Sequence, residues 1–259
     1  MAISTDNLKQ FQQESDIQQL WLPLQHSIWQ ESGLTKDSMV LDVGCGGGTN
    51  TCELAKVAGS VHGIELEPTL IERAKQVAQY QQLDNIEFSV GCALDLNVPG
   101  NYYDFIQYRS VFHHLSDPHI AIQKCFKALK PGGIMHILDM NYDWAGISPE
   151  PATYKRFCEI ARDFRHDDGG DRYVGSKLGV LLSDNQFINI STKVKDFSSD
   201  LIGFENYITA VFELRYNTCV KAGEAEFARQ ALDDIYRLKD LPYVWAGMAF
   251  FIVNGQKSA

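Results

Sequence analysis

Five consecutive residues, Gly44-Cys45-Gly46-Gly47-Gly48, constrain this chain more than any others. They follow the apolar run Met39-Val40-Leu41-Asp42-Val43 and precede a stretch whose pattern predicts a helix from Thr49 to Ala58. A strand that passes through glycines into a helix turns tightly and brings bare backbone close to whatever lies at the turn, because no Cβ obstructs the approach. The spacing Gly44-x-Gly46-x-Gly48 is not the dinucleotide pattern G-x-G-x-x-G, since position 49 is Thr. Asp42 just before the loop is a poor neighbour for a pyrophosphate and a good one for a cationic ligand. The next strand, VHGIEL, brings Glu65 to its end, about 20 residues on, where a carboxylate can accept both hydroxyls of a ribose.

Beyond the loop, short β-rich runs alternate with helical stretches. After Glu65, Pro68 suits a first helical turn, and Leu70, Ile71, Ala74, Val77 and Ala78 share one face. IEFSV, YDFIQY and GIMHILDM read as further strands, and Asp117-Pro118 as an N-cap and first-turn proline for the helix IAIQKCFKAL. This alternation predicts a doubly wound α/β fold with a mostly parallel sheet. Three stretches fall outside it: an amphipathic segment from Asn7 to Ser32, a helix between Pro149 and His166, and two helical patterns between Asp200 and Lys239, themselves flanked by the strands FINISTKVKDF and YVWAGMAFFIV. We expect a helical lid segment over residues 1–35 and a ligand-binding domain over 36–259. Cap insertions at about 142–172 and 199–240 would roof the carboxyl ends of the strands.

A net charge of −10 argues against wrapping nucleic acid by phosphate neutralisation. No apolar run approaches the roughly 20 residues of a membrane span, so a cytoplasmic protein is expected. The six cysteines form no Cys-x-x-Cys pair, and the run His166-Asp167-Asp168-Gly169-Gly170-Asp171-Arg172 fits no metal-loop spacing, so no metal is expected.

The glycine loop with Asp42, Glu65, the strand containing Asp104 and the segment Leu129-Lys130-Pro131-Gly132-Gly133 together resemble the motif series of the class I S-adenosylmethionine-dependent methyltransferases. The likeness is greatest to the small-molecule group that includes the ubiquinone and menaquinone C-methyltransferases, and it is strong over Met39 to Met140. It implies a Rossmann-like seven-stranded sheet, S-adenosyl-L-methionine as cofactor and S-adenosyl-L-homocysteine as product. By position, Gly44, Cys45, Gly46 and Gly48 would shape the loop under the methionine and ribose. Asp42 would hold the ammonium end, directly or through water, Glu65 the ribose hydroxyls, and Leu66 the adenine face. In Gly91-Cys92-Ala93-Leu94-Asp95, Cys92 stands where the family has an acidic contact to the adenine amino group, so that contact falls to the Ala93 backbone or to Asp95. Tyr108 would lie against the methionine moiety.

Methyl transfer from a sulfonium is an in-line displacement that the protein assists chiefly by positioning, with a general base where the acceptor is a hydroxyl or an acidic carbon. His113 and His114 are the base candidates, with a slight preference for His114; a structural turn is the alternative for this segment. Arg109, Asn141, Tyr142 and Trp144 are the acceptor-site candidates, and Tyr173, Arg215 and Tyr216 could orient an acceptor bearing carboxylate, hydroxyl or aromatic groups. The expected function is methylation of a small organic or natural-product-like metabolite at O, N or C, with a homodimer through the lid helices as a possible assembly. The alternatives are a non-catalytic cofactor-binding sensor or scaffold and a nicotinamide-dependent oxidoreductase.

Overall fold

Alternate apolar positions build seven strands in the computed structural model, which describes residues 22–166 and 169–258. They are β1 (Met39–Val43), β2 (Ser60–Glu65), β3 (Ile86–Val90), β4 (Tyr103–Arg109), β5 (Leu129–Ser148), β6 (Ile188–Ser198) and β7 (Trp245–Gln256). One sheet holds them in the order β3-β2-β1-β4-β5-β7-β6. Strands β1 to β5 run parallel, while β7 is antiparallel to both β5 and β6. The direction of winding reverses between β1 and β4, which places the ligand crevice of an open α/β sheet above Gly44.

Period-two burial splits the strands between two cores. Leu41, Val43, Ile106, Tyr108, Ile137 and Val253 face the larger one, closed by α4 (Pro118–Ala128) and α6 (Leu178–Asp184). Val40, Val61 and Phe105 face the other side, beneath Trp29 of a helix over 22–31 (α1) and Leu54 and Ala55 of α2 (Thr49–Ala55). α3 (Pro68–Tyr80) buries Ile71, Ala74, Val77 and Ala78, and its cap Glu67 accepts from the Thr69 N–H. Asp117 caps α4 by accepting from the N–H groups of His119 and Ile120.

A further core lies past the carboxyl edge. It is built from α5 (Tyr154–His166), the short helices α7 (Ser199–Ile202) and α8 (Phe204–Tyr207), a π-helical turn over Ile208–Phe212, α9 (Glu213–Lys221) and α10 (Ala225–Arg237). On α10 the buried Ala228, Ala231 and Ile235 recur at helical spacing. The sheet itself enters this cap: β5 breaks register between Met140 and Ala145, then pairs again with β7 from Ala145↔Met248 to Ser148↔Trp245. Ile147 and Ala246, partners in that ribbon, belong to the cap core.

Several expectations need adjustment. The helix expected to reach Ala58 ends at Ala55, and α6 was not anticipated, since Leu178-Gly-Val-Leu-Leu is short and carries a helix-weakening glycine. The insertion at 142–172 begins inside a strand and turns helical only at Tyr154. Leu20, Trp21, Asp167 and Asp168 lie outside the described residues. Among the described residues, no helix is long and apolar enough to cross a membrane, and no cluster of His, Cys, Asp and Glu is disposed to hold a metal.

The glycine loop is fitted to α3 as much as to any ligand. Gly48 has φ +81°, and a Cβ there would stand 2.6 Å from Ala74 Cβ. Left-handed strain and overpacking add, so Gly48→Ala should cost about 2–4 kcal/mol in denaturant unfolding.

Candidate active site at the carboxyl edge of the sheet

The loop after β1 is held by hydrogen bonds that leave its upper face bare. Gly44 and Cys45 both donate to the Ile64 carbonyl, at 2.7 and 3.0 Å. Gly46 donates to Glu65 Oε2 at 3.0 Å, and Glu65 Oε1 accepts from the N–H groups of Leu66 and Glu67. The carboxylate at the tip of β2 is thereby fixed against the loop with lone pairs left over. The loop glycines answer different demands. A Cβ on Gly44 would run into Val111, and one on Gly48 into α3, whereas a Cβ on Gly46, at φ +54°, would meet nothing within 4 Å. Gly46 alone of these faces open space, and beside it Leu66 is 66% exposed. A bare backbone, a fixed carboxylate and an exposed leucine form a cradle suited to a ribose and a base.

Asp42 sits beneath this cradle, not in it. It is 2% exposed, and its carboxylate accepts from Thr51 Oγ1 at 2.7 Å and Gln107 Nε2 at 2.9 Å. Each oxygen has spent one acceptor position inside the protein, so the hold on the ammonium end expected of Asp42, directly or through water, would draw on the lone pairs that remain. Gln107 also donates to Asn50 and accepts from the Trp29 indole at 2.6 Å, which fixes its amide orientation. Burial raises the Asp42 carboxyl above the usual carboxylate range, against the hydrogen bonds from Gln107 and Thr51.

Arg109, expected on the acceptor side, lies within the field of Asp42 at the end of β4, its Nε buried without a hydrogen-bond partner. Burial lowers its affinity for a proton and the Asp42 charge raises it. Tyr108 does not reach the methionine position: it is fully buried, packs edge-on against Phe112 and shares a 3.1 Å hydrogen bond with Cys125 of α4. Adjacent residues of a strand point to opposite faces, so Gln107 and Arg109 lie on the Asp42 side of the sheet, away from Tyr108. Cys45 is buried, its thiol pushed up by burial and by the nearby Asp42. Cys92 is half-buried ahead of the single turn Ala93–Asp95; Ala93 and Leu94 pack on the larger core, and Asp95 turns away to Lys124 at 3.0 Å.

Across the crevice, the ends of β4 and β5 bring together a pair that sequence reasoning missed. His113 Nδ1 lies 2.7 Å from Asp139 Oδ1, with His113 3% and Asp139 0% exposed. The same carboxylate accepts from the backbone N–H of Met140 and of His113, so its position is fixed from three directions. His114 is exposed and tilted against His113, with ring centroids 4.0 Å apart. Of the two base candidates, His113 is the one whose ring nitrogen lies against this buried carboxylate. The signal available in the sequence was Asp139 itself, a lone acid closing the apolar run Ile134-Met-His-Ile-Leu-Asp.

Of the remaining acceptor candidates, Asn141 donates to Ser176, 35 residues on in the turn Val174–Lys177, and accepts from the Asp143 N–H. Trp144 is 55% exposed with its ring edge-on to Phe251, and Tyr142 is half-buried, its N–H on the Arg172 carbonyl.

A family model described as "Methyltransferase domain" matches residues 34–174, more than half of the chain. Among curated proteins, a ubiquinone biosynthesis O-methyltransferase from Coxiella burnetii is 36% identical over 106 residues, which are 41% of this chain and 45% of that one. The chain thus matches less than half the length of such relatives. Among solved structures, the YcgJ protein of Bacillus subtilis superposes with TM-score 0.61 at 19% identity, covering 91% of this chain and 99% of that one. A phosphoethanolamine N-methyltransferase of Haemonchus contortus, solved with S-adenosylhomocysteine, gives TM-score 0.60 at 18% identity, covering 90% of this chain and 52% of that one. These likenesses agree with the motif series and the strand order, and the nicotinamide alternative falls with them.

The cradle generates two linked expectations. Glu65→Ala should weaken S-adenosylhomocysteine binding at least tenfold in calorimetric titration, about 1.4 kcal/mol. Gly46→Ala should do the same while costing only about 1 kcal/mol of stability, because its added methyl meets ligand space instead of protein. The chain belongs to the class I S-adenosylmethionine-dependent methyltransferase family.

Proposed function

We propose that the chain methylates a hydroxyl oxygen of a small organic acceptor, with His113 as general base oriented by Asp139. The observation that carries this reading is the 2.7 Å contact between His113 Nδ1 and the buried Asp139 carboxylate. A carboxylate accepts, so Nδ1 holds the proton and Nε2 is left as the basic nitrogen, an assignment made from the hydrogen-bond partner. A hydroxyl needs such a base as its oxygen attacks, whereas a neutral amine does not. Similarity to proteins named O-methyltransferases supports the same choice of atom.

S-adenosylmethionine supplies an electrophilic methyl carbon on its sulfonium. The residues present fit it: the open space over Gly46 takes the ribose against Glu65, Leu66 gives the adenine an apolar surface, and the unpartnered Nε of Arg109 suits its carboxylate. Asp42 acts on the ammonium group from below. His113 then removes the acceptor proton, and Asp139 stabilises the imidazolium that forms. The cap supplies an apolar roof and excludes water, and its exposed Leu214 and Val220 on α9 are positions through which two copies would pair.

A second reading is a pocket that binds the cofactor without transferring methyl; the fold itself also occurs in a [4+2]-cyclase, which superposes at TM-score 0.62 and 21% identity. Turnover of phenolic and enolic acceptors, followed as S-adenosylhomocysteine release, separates the two. Under our reading, His113→Ala lowers kcat by about 10²–10⁴-fold and Asp139→Asn by at least tenfold, with cofactor affinity unchanged. Cofactor binding with no acceptor methylated would favour the second reading.

A further inference from the structure

The cap contains a buried cation that the mechanism above does not use. Arg215 of α9 is only 6% exposed, and its guanidinium lies about 6 Å from the ring centroids of Tyr142, Tyr154 and Phe212. It donates to the Cys158 sulfur at 2.9 Å and stands within hydrogen-bonding reach of the Tyr154 hydroxyl, two neutral acceptors that leave its charge without a counterion. Among the described residues, no aspartate or glutamate forms an ion pair with it. The acids on the elements packed around it point elsewhere: Glu159 lies toward Arg156, Asp163 pairs with Arg162, and Glu213 accepts from Tyr236. In a chain with 33 acidic and 23 basic residues, a buried arginine without a carboxylate is not for want of acids.

A second guanidinium stands at the same ring. Arg172 is 2% exposed and lies 5.9 Å from the Tyr142 centroid. It belongs to a loop seated on the catalytic edge: a Cβ on Gly170 would strike the His113 carbonyl, and one on Gly175 would come within 2.8 Å of the Met140 carbonyl. Tyr142 itself is three residues beyond Asp139, roughly 10 Å along an extended chain. Two buried cations therefore flank one phenol ring at the junction between the cap core and the Asp139–His113 pair. A cationic acceptor would be repelled there, and a neutral one would leave the guanidinium desolvated without a strong acceptor. An oxyanion satisfies both charge and donors, and the planar fork of arginine suits carboxylate and phosphate alike.

We propose that Arg215, with Arg172 across Tyr142, forms a subsite for an oxyanion, a carboxylate or phosphate ester, carried by the methyl acceptor. This rests on the methyl-transfer reading and adds the class of acceptor to it.

The test is calorimetric titration of the protein saturated with S-adenosylhomocysteine, using benzoate, phenyl phosphate and the neutral isostere benzamide at up to about 20 mM. We expect one of the anions to bind at least tenfold more tightly than benzamide, and which anion does so identifies the oxyanion. In Arg215→Gln that preference should fall below threefold while S-adenosylhomocysteine affinity is kept; Arg215→Lys, which keeps the charge but loses the fork, should fall between. The anion–benzamide comparison on wild type needs no variant, and Arg172→Gln provides a second one should Arg215→Gln fail to fold. Equal binding of anions and benzamide, no binding of either anion, or an undiminished preference in Arg215→Gln would overturn the subsite. Loss of S-adenosylhomocysteine binding in wild type would instead strike the cofactor reading, so the two failures are distinguishable.

Discussion

One buried carboxylate organises the junction on which the rest depends. Asp42 at the end of the central strand accepts from Thr51 on α2 and from Gln107 on β4, and Gln107 in turn accepts from Trp29 on α1. Four elements distant in sequence are thereby tied to one ionisable side chain that is 2% exposed. A buried charge is tolerated only when it is hydrogen-bonded, so each donor is needed by the acid as much as it is held by it. Because Trp29 fixes which end of the Gln107 amide faces Asp42, α1 is part of the site's floor, and the glycine loop rests on a base that cannot rearrange piecemeal.

The carboxyl edge then divides its work between neighbouring strand ends. β1 and β2 present the bare backbone of Gly46 and the carboxylate of Glu65; β4 and β5 present His113 and Asp139. The two halves meet at the point where the winding of the sheet reverses, so each is delivered by rigid strands and only short turns separate chemistry from scaffold. The cap contributes an apolar core and the guanidinium groups of Arg172 and Arg215.

What could be read from the sequence alone was what is local. The glycine loop and Glu65 follow from spacing along a strand–turn–helix–strand unit, and the helix cap Asp117 follows from neighbours two or three residues away. Relations formed only by folding were hidden. Asp139 reaches His113 across 26 positions, and Gln107 reaches Trp29 across 78. Tyr108 was assigned to the site from its place near the end of β4; its ring lies in the larger core, and a shift of one residue along a strand exchanges faces, so Gln107 and Arg109 lie on the Asp42 side. The tie from Asn141 to Ser176, 35 positions on, was likewise hidden.

The continuation of β5 and β7 beyond the register break has a consequence for how such a protein can diversify. The cap is not a cassette hung on two flexible joints, because ladder hydrogen bonds from Ala145 to Ser148 and from Trp245 to Met248 run straight into its core. Exchanging it for another cap would cut through paired strands and reset their register. Change in this region is thus channelled into side-chain replacement on a fixed backbone, and recombination with foreign caps is disfavoured by the sheet itself.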